Sequence, residues 1–123
     1  MTKQTDTPVS KEEILALQDA IELFRGKWKF CLLHHLSTSE SLRFKDLQQR
    51  ATAISPKVLA KELQDLEHHL LITRTVNPTK PITVSYRLTP HALESQPVLA
   101  SLLEFGLKHR KKIKEPLAPK KKK

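Results

Sequence analysis

Apolar residues recur at three- and four-residue intervals along much of the chain, which is the spacing of one face of an α-helix. The pattern predicts helices at about residues 10–25, 27–36, 44–51 and 55–69. The first begins after Ser10, which with Glu13 three residues later is typical of a capping box. The apolar positions of the first helix are Ile14, Leu17, Ile21 and Phe24. The inward positions predicted for the second are Trp28, Cys31, Leu32, His35 and Leu36.

The third and fourth predicted helices are separated by a turn that we place at about three or four residues. Ser55 followed by Pro56 marks the restart, because serine is a preferred N-cap and proline is favoured in the first helical turn. Two helices joined in this way predict a helix-turn-helix, whose second helix enters the major groove of DNA. We therefore expect residues 55–69 to be the recognition helix.

The segment after the fourth helix alternates between β-branched and polar residues, over residues 71–76 and again over residues 83–88. The intervening residues 77–81, Asn-Pro-Thr-Lys-Pro, are rich in turn formers. The pattern predicts a β-hairpin with a basic tip, or wing. Thr89-Pro90 then opens a C-terminal helix that Pro97 must kink or restart. The predicted fold class is mainly α with a small β-hairpin, a winged helix-turn-helix.

The length of 123 residues predicts a single domain. We divide the chain into a flexible N-terminus (1–9), a winged helix-turn-helix domain with dimerisation helices (10–113) and a basic disordered tail (114–123). No apolar run is long enough to span a bilayer, and the polar start does not resemble a secretory signal. We expect a cytoplasmic protein without a membrane partner.

The net charge of +9 is unevenly distributed along the chain. Residues 108–123 carry +8 of it, so the remaining 107 residues are nearly neutral. Within them, residues 43–61 hold five basic side chains and one acidic one, a local charge of +4. Because this patch coincides with the predicted helix-turn-helix, it favours nucleic acid as the partner.

Several classes of site are excluded or disfavoured by composition. Two glycines leave no room for a phosphate-binding glycine-rich loop, and a single cysteine excludes a cysteine metal cluster within one chain. The adjacent histidine pairs point about 100° apart on a helix and do not suit one metal ion. We expect no cofactor, no metal and no enzymatic activity. Cys31, on a predicted inward face, is interpreted as core filler rather than a redox sensor.

Exposed polar residues of the recognition helix and the wing supply the candidate DNA contacts. Lysine and arginine bind phosphate or guanine, glutamine binds adenine edges, and serine or asparagine binds phosphate. The wing can also be a plain connecting turn, and Arg43 can pair with Asp46 instead of a phosphate. The candidates are Arg43, Ser55, Lys57, Lys61, Gln64, Arg74, Asn77 and Lys80.

Four short strings, in this order, carry a resemblance to a known family: GKW at 26–28, RFKDL at 43–47, ISPKVL at 54–59 and VSYRLT at 84–89. Over roughly residues 15–106 the chain resembles the HxlR-type winged helix-turn-helix regulators. The resemblance implies a dimeric, bacterial-type transcription factor whose outer helices form the dimer interface. Many members carry an oxidant-sensing cysteine early in the first helix, but this chain has none near Leu15. Leu70 stands where the family usually has a glycine after the recognition helix.

The apolar set of the C-terminal helix exceeds what one small winged domain can cover, so we expect it to pair with the first helix of a second copy. The predicted interface residues are Ile14, Leu17, Ile21, Leu99, Leu102, Leu103 and Phe105.

The function predicted from these features is sequence-specific transcription regulation by a homodimer on a pseudo-palindromic site in double-stranded DNA. The alternative is non-specific or architectural nucleic-acid binding through the basic tail. The existence of a small-molecule effector is left open.

Overall fold

The computed structural model describes residues 8–115, within which the chain forms six helices and three strands. Residues 1–7 and 116–123 lie outside this range, so the flexible N-terminus and the basic tail stay predictions. The winged helix-turn-helix fold is confirmed. The elements are α1 (Lys11–Leu23), α2 (Lys29–Ser37), β1 (Leu42–Arg43), α3 (Phe44–Arg50), α4 (Pro56–His68), β2 (Ile72–Asn77), β3 (Thr83–Leu88), α5 (Pro90–Leu93) and α6 (Gln96–Lys114).

The helix starts read from the sequence are confirmed by their caps. The hydroxyl of Ser10 accepts the backbone N–H of Glu13 at 3.1 Å, while the Glu13 carboxylate accepts the N–H of Ser10 at 2.9 Å. Ser55 caps α4 by accepting the N–H of Val58 at 3.1 Å. Each such cap contributes about 1 kcal/mol to helix stability. Pro97 lies in the first turn of α6, so it marks a restart rather than a kink.

The core lies where α2, α3 and α4 pack against the inner face of the sheet. The predicted inward face of α2 was partly wrong: Leu33 is buried together with Leu32 and Leu36, whereas Cys31 and His35 are only half-buried. The reason is that α2 packs against both α3 and β3, which buries a wider arc of the helix than one apolar stripe. The largest fully buried side chains are Leu32, Leu33, Leu36, Leu47, Leu59, Leu63, Leu66 and Leu71.

The predicted hairpin is confirmed, and it has a third strand that the sequence pattern did not predict. The antiparallel order is β1-β3-β2, with Leu42 opposite Tyr86 and Arg43 opposite Ser85. The strand β1 has only two residues and runs directly into α3. The start of the helix-turn-helix is therefore hydrogen-bonded to the wing.

Two connections differ from expectation. The turn between α3 and α4 covers residues 51–55, one or two more than predicted. After α4, Leu70 itself adopts the left-handed conformation, with φ of 66°. The N–H of Leu70 donates to Glu67 O at 3.0 Å and that of Leu71 to Leu66 O at 2.9 Å, which is the Schellman pattern. The chain thus keeps the usual exit geometry without the glycine that normally permits it.

Candidate nucleic-acid interface

The helix α4 presents two distinct faces. Leu59, Leu63 and Leu66 are at most 2% exposed and hold the helix on the core. Lys57, Lys61 and Gln64 recur at intervals of four and three residues on the opposite side, and all three are exposed. A helix with this division can enter a groove without disturbing its own packing.

The N-terminus of α4 is the positive end of the helix dipole, and it suits an approaching phosphate. Ser55 lies there, exposed, with its oxygen engaged as the cap of Val58. The hydroxyl hydrogen of Ser55 can still be donated outward, because the cap uses only an acceptor lone pair.

Arg43 and the wing meet across a shallow cleft of about 420 Å³, lined among others by Asp46, Asn77 and Thr79. Asn77 is half-buried, and its amide donates to the hydroxyls of Thr83 and Ser85, each at 3.1 Å. Ser85 lies opposite Arg43 in the sheet. Asn77 therefore braces the wing beside Arg43, and its direct contact with DNA stays a prediction.

Asp46, the alternative partner of the Arg43 guanidinium, instead binds the backbone at the start of α3. Its carboxylate accepts the backbone N–H of Arg43 at 3.0 Å, which caps α3. Between residues 8 and 115 no ion pair joins the two side chains. Arg43 is exposed and lines the cleft, where phosphate binding remains the prediction.

Arg74 does not join this group. It lies opposite Tyr86 in the register of β2 and β3, whereas Asn77 lies opposite Thr83. Because side chains alternate between the faces of a sheet, Arg74 points to the face that carries buried Tyr86, and Asn77 points to the other face. Lys80 is exposed in the loop at the wing tip. The predicted wing contacts therefore lie in three places. Arg74 is on one face of the sheet, Asn77 is on the other, and Lys80 is at the tip.

One charged cluster beside the interface was missed by the sequence analysis. Lys29, at the start of α2, is 7% exposed, and its Nζ lies 2.6 Å from Glu62 Oε1 and 3.5 Å from Asp65 Oδ2. Asp65 also lies 4.0 Å from the Nζ of Lys61. Glu62 and Asp65 belong to α4, so this cluster joins α2 to the recognition helix. No local sequence signal predicts a contact between residues 33 positions apart.

Comparison with known proteins places these elements in a family. The family model described as HxlR-like helix-turn-helix matches residues 23–114, which span α2 to the end of α6. The chain belongs to the HxlR-like helix-turn-helix family. The resemblance expected from the four sequence strings is confirmed.

Curated relatives of this HxlR-like chain are helix-turn-helix transcriptional regulators. An uncharacterised regulator of Halalkalibacterium halodurans is 34% identical over 90 residues, which cover 73% of this chain and 80% of the relative. The regulator YodB of Bacillus subtilis is 30% identical over 86 residues, covering 70% and 76% of the two chains. Transcription regulation through a DNA-binding helix-turn-helix is thereby supported for the family as a whole.

Solved structures agree with this assignment. The redox regulator HypR in its reduced form has a TM-score of 0.73 at 25% identity, covering 77% of this chain and 93% of that one. The putative regulator ytcD has a TM-score of 0.72 at 28% identity, covering 77% and 96%. None of the helices of this HxlR-like chain within residues 8–115 is long and apolar enough to cross a membrane.

The outer helices of the HxlR-like chain expose their apolar side chains. Neither α1 nor α6 contains a buried residue, and Leu17, Leu103 and Phe105 are each at least 58% exposed. A groove of about 780 Å³ runs between α2 and α6, with Cys31 and Leu99 among its lining residues. Of the predicted interface residues, Leu99 alone is half-buried by its own chain, and the rest are exposed.

Proposed function

We propose that this HxlR-like chain is a sequence-specific transcription regulator that binds a pseudo-palindromic DNA site as a homodimer. The observation that carries the proposal is the division of α4 into a buried leucine face and an exposed face of Lys57, Lys61 and Gln64. Glutamine reads adenine edges, and lysine binds guanine or phosphate. The neighbouring Arg43 and Lys80 supply positive charge for the DNA backbone.

The homodimer is supported by the exposed apolar side chains of α1 and α6. A soluble monomer seldom exposes a contiguous apolar patch of this kind. A symmetric pair would place two copies of α4 about 34 to 36 Å apart, one helical turn of DNA, and would account for a two-fold symmetric site.

The test separates base reading from charge attraction. A binding site is selected from random duplexes, and fluorescence anisotropy then measures affinity for that site and for a scrambled duplex at several salt concentrations. Gln64→Ala removes no charge, so we expect it to lower the ratio of the two affinities. Gln49→Ala is the matched control, since it removes the same side chain from an exposed position on α3.

Lys80→Ala should weaken binding to both duplexes alike and lower the salt slope by about one, because each phosphate contact contributes roughly 0.9 to that slope. Lys11→Ala, at the exposed start of α1, is its control. If Gln64→Ala, Lys57→Ala and Lys61→Ala all left the ratio unchanged, α4 would not be the reading element. If deletion of Lys120 to Lys123 removed most of the affinity, non-specific binding through the tail would replace the proposal.

A further inference from the structure

The recognition helix carries more negative than positive charge. Along α4, Lys57 and Lys61 are outnumbered by Glu62, Asp65 and Glu67, a net charge of −1. DNA repels carboxylates, so a helix of this composition would approach the phosphates poorly unless some of its acids were neutralised.

The negative charge of the carboxylates that flank the exposed face is partly offset by a lysine of another element. Lys29 of α2 places its ammonium 2.6 Å from Glu62 and 3.5 Å from Asp65. The side chains of Lys29 and Glu62 are only 9% and 13% exposed, so solvent screens this pair weakly. Asp65, at 41% exposed, stands between the pair and the surface.

Asp65 also lies beside the ammonium of a predicted DNA contact, Lys61. The Nζ of Lys61 lies 4.0 Å from Asp65, at the outer limit of an ion pair, and the Lys61 side chain is 75% exposed. A lysine held by a carboxylate on its own helix is less available to a phosphate. The positive charge of Lys29, 3.5 Å from Asp65, weakens the attraction of Asp65 for Lys61.

We propose that Lys29 is a positioning residue of the DNA interface: its ammonium offsets one of the two negative charges of Glu62 and Asp65, which weakens the attraction of Asp65 for Lys61 and leaves Lys61 more available to DNA. Lys29 itself is buried and does not contact the DNA. The inference rests on the proposed function, since it assigns Lys61 to the DNA-facing side of α4.

A purely structural ion pair would also link α2 to α4, and the two roles differ in what they predict. A structural role affects the folded fraction, and the molecules that remain folded bind DNA as before. The electrostatic role changes the affinity of the folded protein and its salt dependence. The loss of DNA affinity should also be reversed when Glu62 and Asp65 are made neutral in the same variant.

The experiment uses the full chain and a random-sequence duplex, with anisotropy measured across a salt series and the folded fraction measured by circular dichroism. In Lys29→Met, Asp65 holds Lys61, so we expect roughly three- to tenfold weaker binding and a salt slope lower by about one. Lys29→Met combined with Glu62→Gln and Asp65→Asn removes one positive and two negative charges, so it should restore both values at least to those of the wild type. Lys29→Arg, which keeps the charge, should bind like the wild type.

Asp65→Asn alone provides a test that keeps the Lys29 and Glu62 pair and does not depend on the folding of Lys29→Met. Because Lys29 already weakens the attraction of Asp65 for Lys61, we expect affinity and slope to change less than twofold. A several-fold gain in affinity with a steeper slope would overturn the proposal, as would folded Lys29→Met that binds like the wild type. If instead the wild type showed no salt-dependent binding at all, the proposed function itself would fail.

Discussion

The helices α4 and α6 are both amphipathic, yet they differ in how much of their apolar face the chain itself buries. α4 has 13 residues, and its leucine face is buried within its own chain. α6 has 19 residues and none of them is buried. The difference indicates that one chain is sufficient to position the recognition helix, whereas the apolar side chains of the outer helices stay exposed on one chain and would be buried only in the proposed dimer.

The first prediction compares the effect on stability of one leucine-to-alanine substitution in α4 with that of one in α6. Leu63 is 2% exposed, so Leu63→Ala should lower the free energy of unfolding by about 2 to 5 kcal/mol through lost burial and the cavity left behind. Leu103→Ala, at 58% exposed, should have a smaller effect that grows with protein concentration as the dimer forms. Urea denaturation at two protein concentrations measures both. Equal, concentration-independent losses would show that α6 is covered by its own chain.

The second prediction concerns assembly directly. We expect Leu103→Glu to weaken dimerisation at least tenfold, because the proposed interface would have to bury an unpaired carboxylate. Ser101→Glu adds the same charge to a position on the other side of α6 and should leave the dimer intact. Light scattering at micromolar concentration gives the mass of each variant. A wild type that is monomeric under those conditions would contradict the dimer.

The sequence predicted the elements whose pattern is local. The caps at Ser10 and Ser55, the leucine spacing of α4 and the two long strands each follow from residues a few positions apart. The two-residue strand β1 has no pattern of its own, since it exists only because β3 offers an edge to pair with.

The candidate site was predictable to a similar degree. Exposure of Lys57, Lys61 and Gln64 follows from the helix period. The contact of Lys29 with Asp65 does not, because it depends on how α2 and α4 pack. The separation of Arg74 from Asn77 was missed because the predicted strand ended at residue 76, whereas β2 includes Asn77 and alternation then puts the two side chains on opposite faces.

The third prediction concerns the junction between α4 and the wing. Leu70 is 68% exposed and holds φ at 66°, a conformation that costs an ordinary residue about 1 to 2 kcal/mol. Leu70→Gly should therefore stabilise the fold by about 0.5 to 1 kcal/mol, after the larger entropy of glycine in the unfolded chain is subtracted. Leu70→Ala keeps the Cβ and is the control. A loss of stability on denaturation of Leu70→Gly would mean that the leucine side chain contributes more than its strain costs.

The smallest effect is expected at Cys31, which lines the groove between α2 and α6. Burial raises the pKa of the Cys31 thiol, so less reactive thiolate forms at neutral pH. We expect slow labelling by a thiol reagent in the native state. Cys31→Ser should change DNA affinity less than twofold. An oxidant-dependent change in binding that Cys31→Ser abolished would instead make this cysteine a sensor, although it is not in the first helix.

The short strand β1 has an entropic consequence for DNA binding. A wing attached only at its base would lose conformational freedom on contacting the backbone, and that loss would reduce affinity. Here Arg43 lies opposite Ser85 in the sheet, and the Asn77 amide at the end of β2 donates to the Ser85 hydroxyl. The wing and the start of the first helix of the helix-turn-helix are therefore connected through β3 within one chain. Substitutions that loosen β1 should slow association as well as weaken the complex.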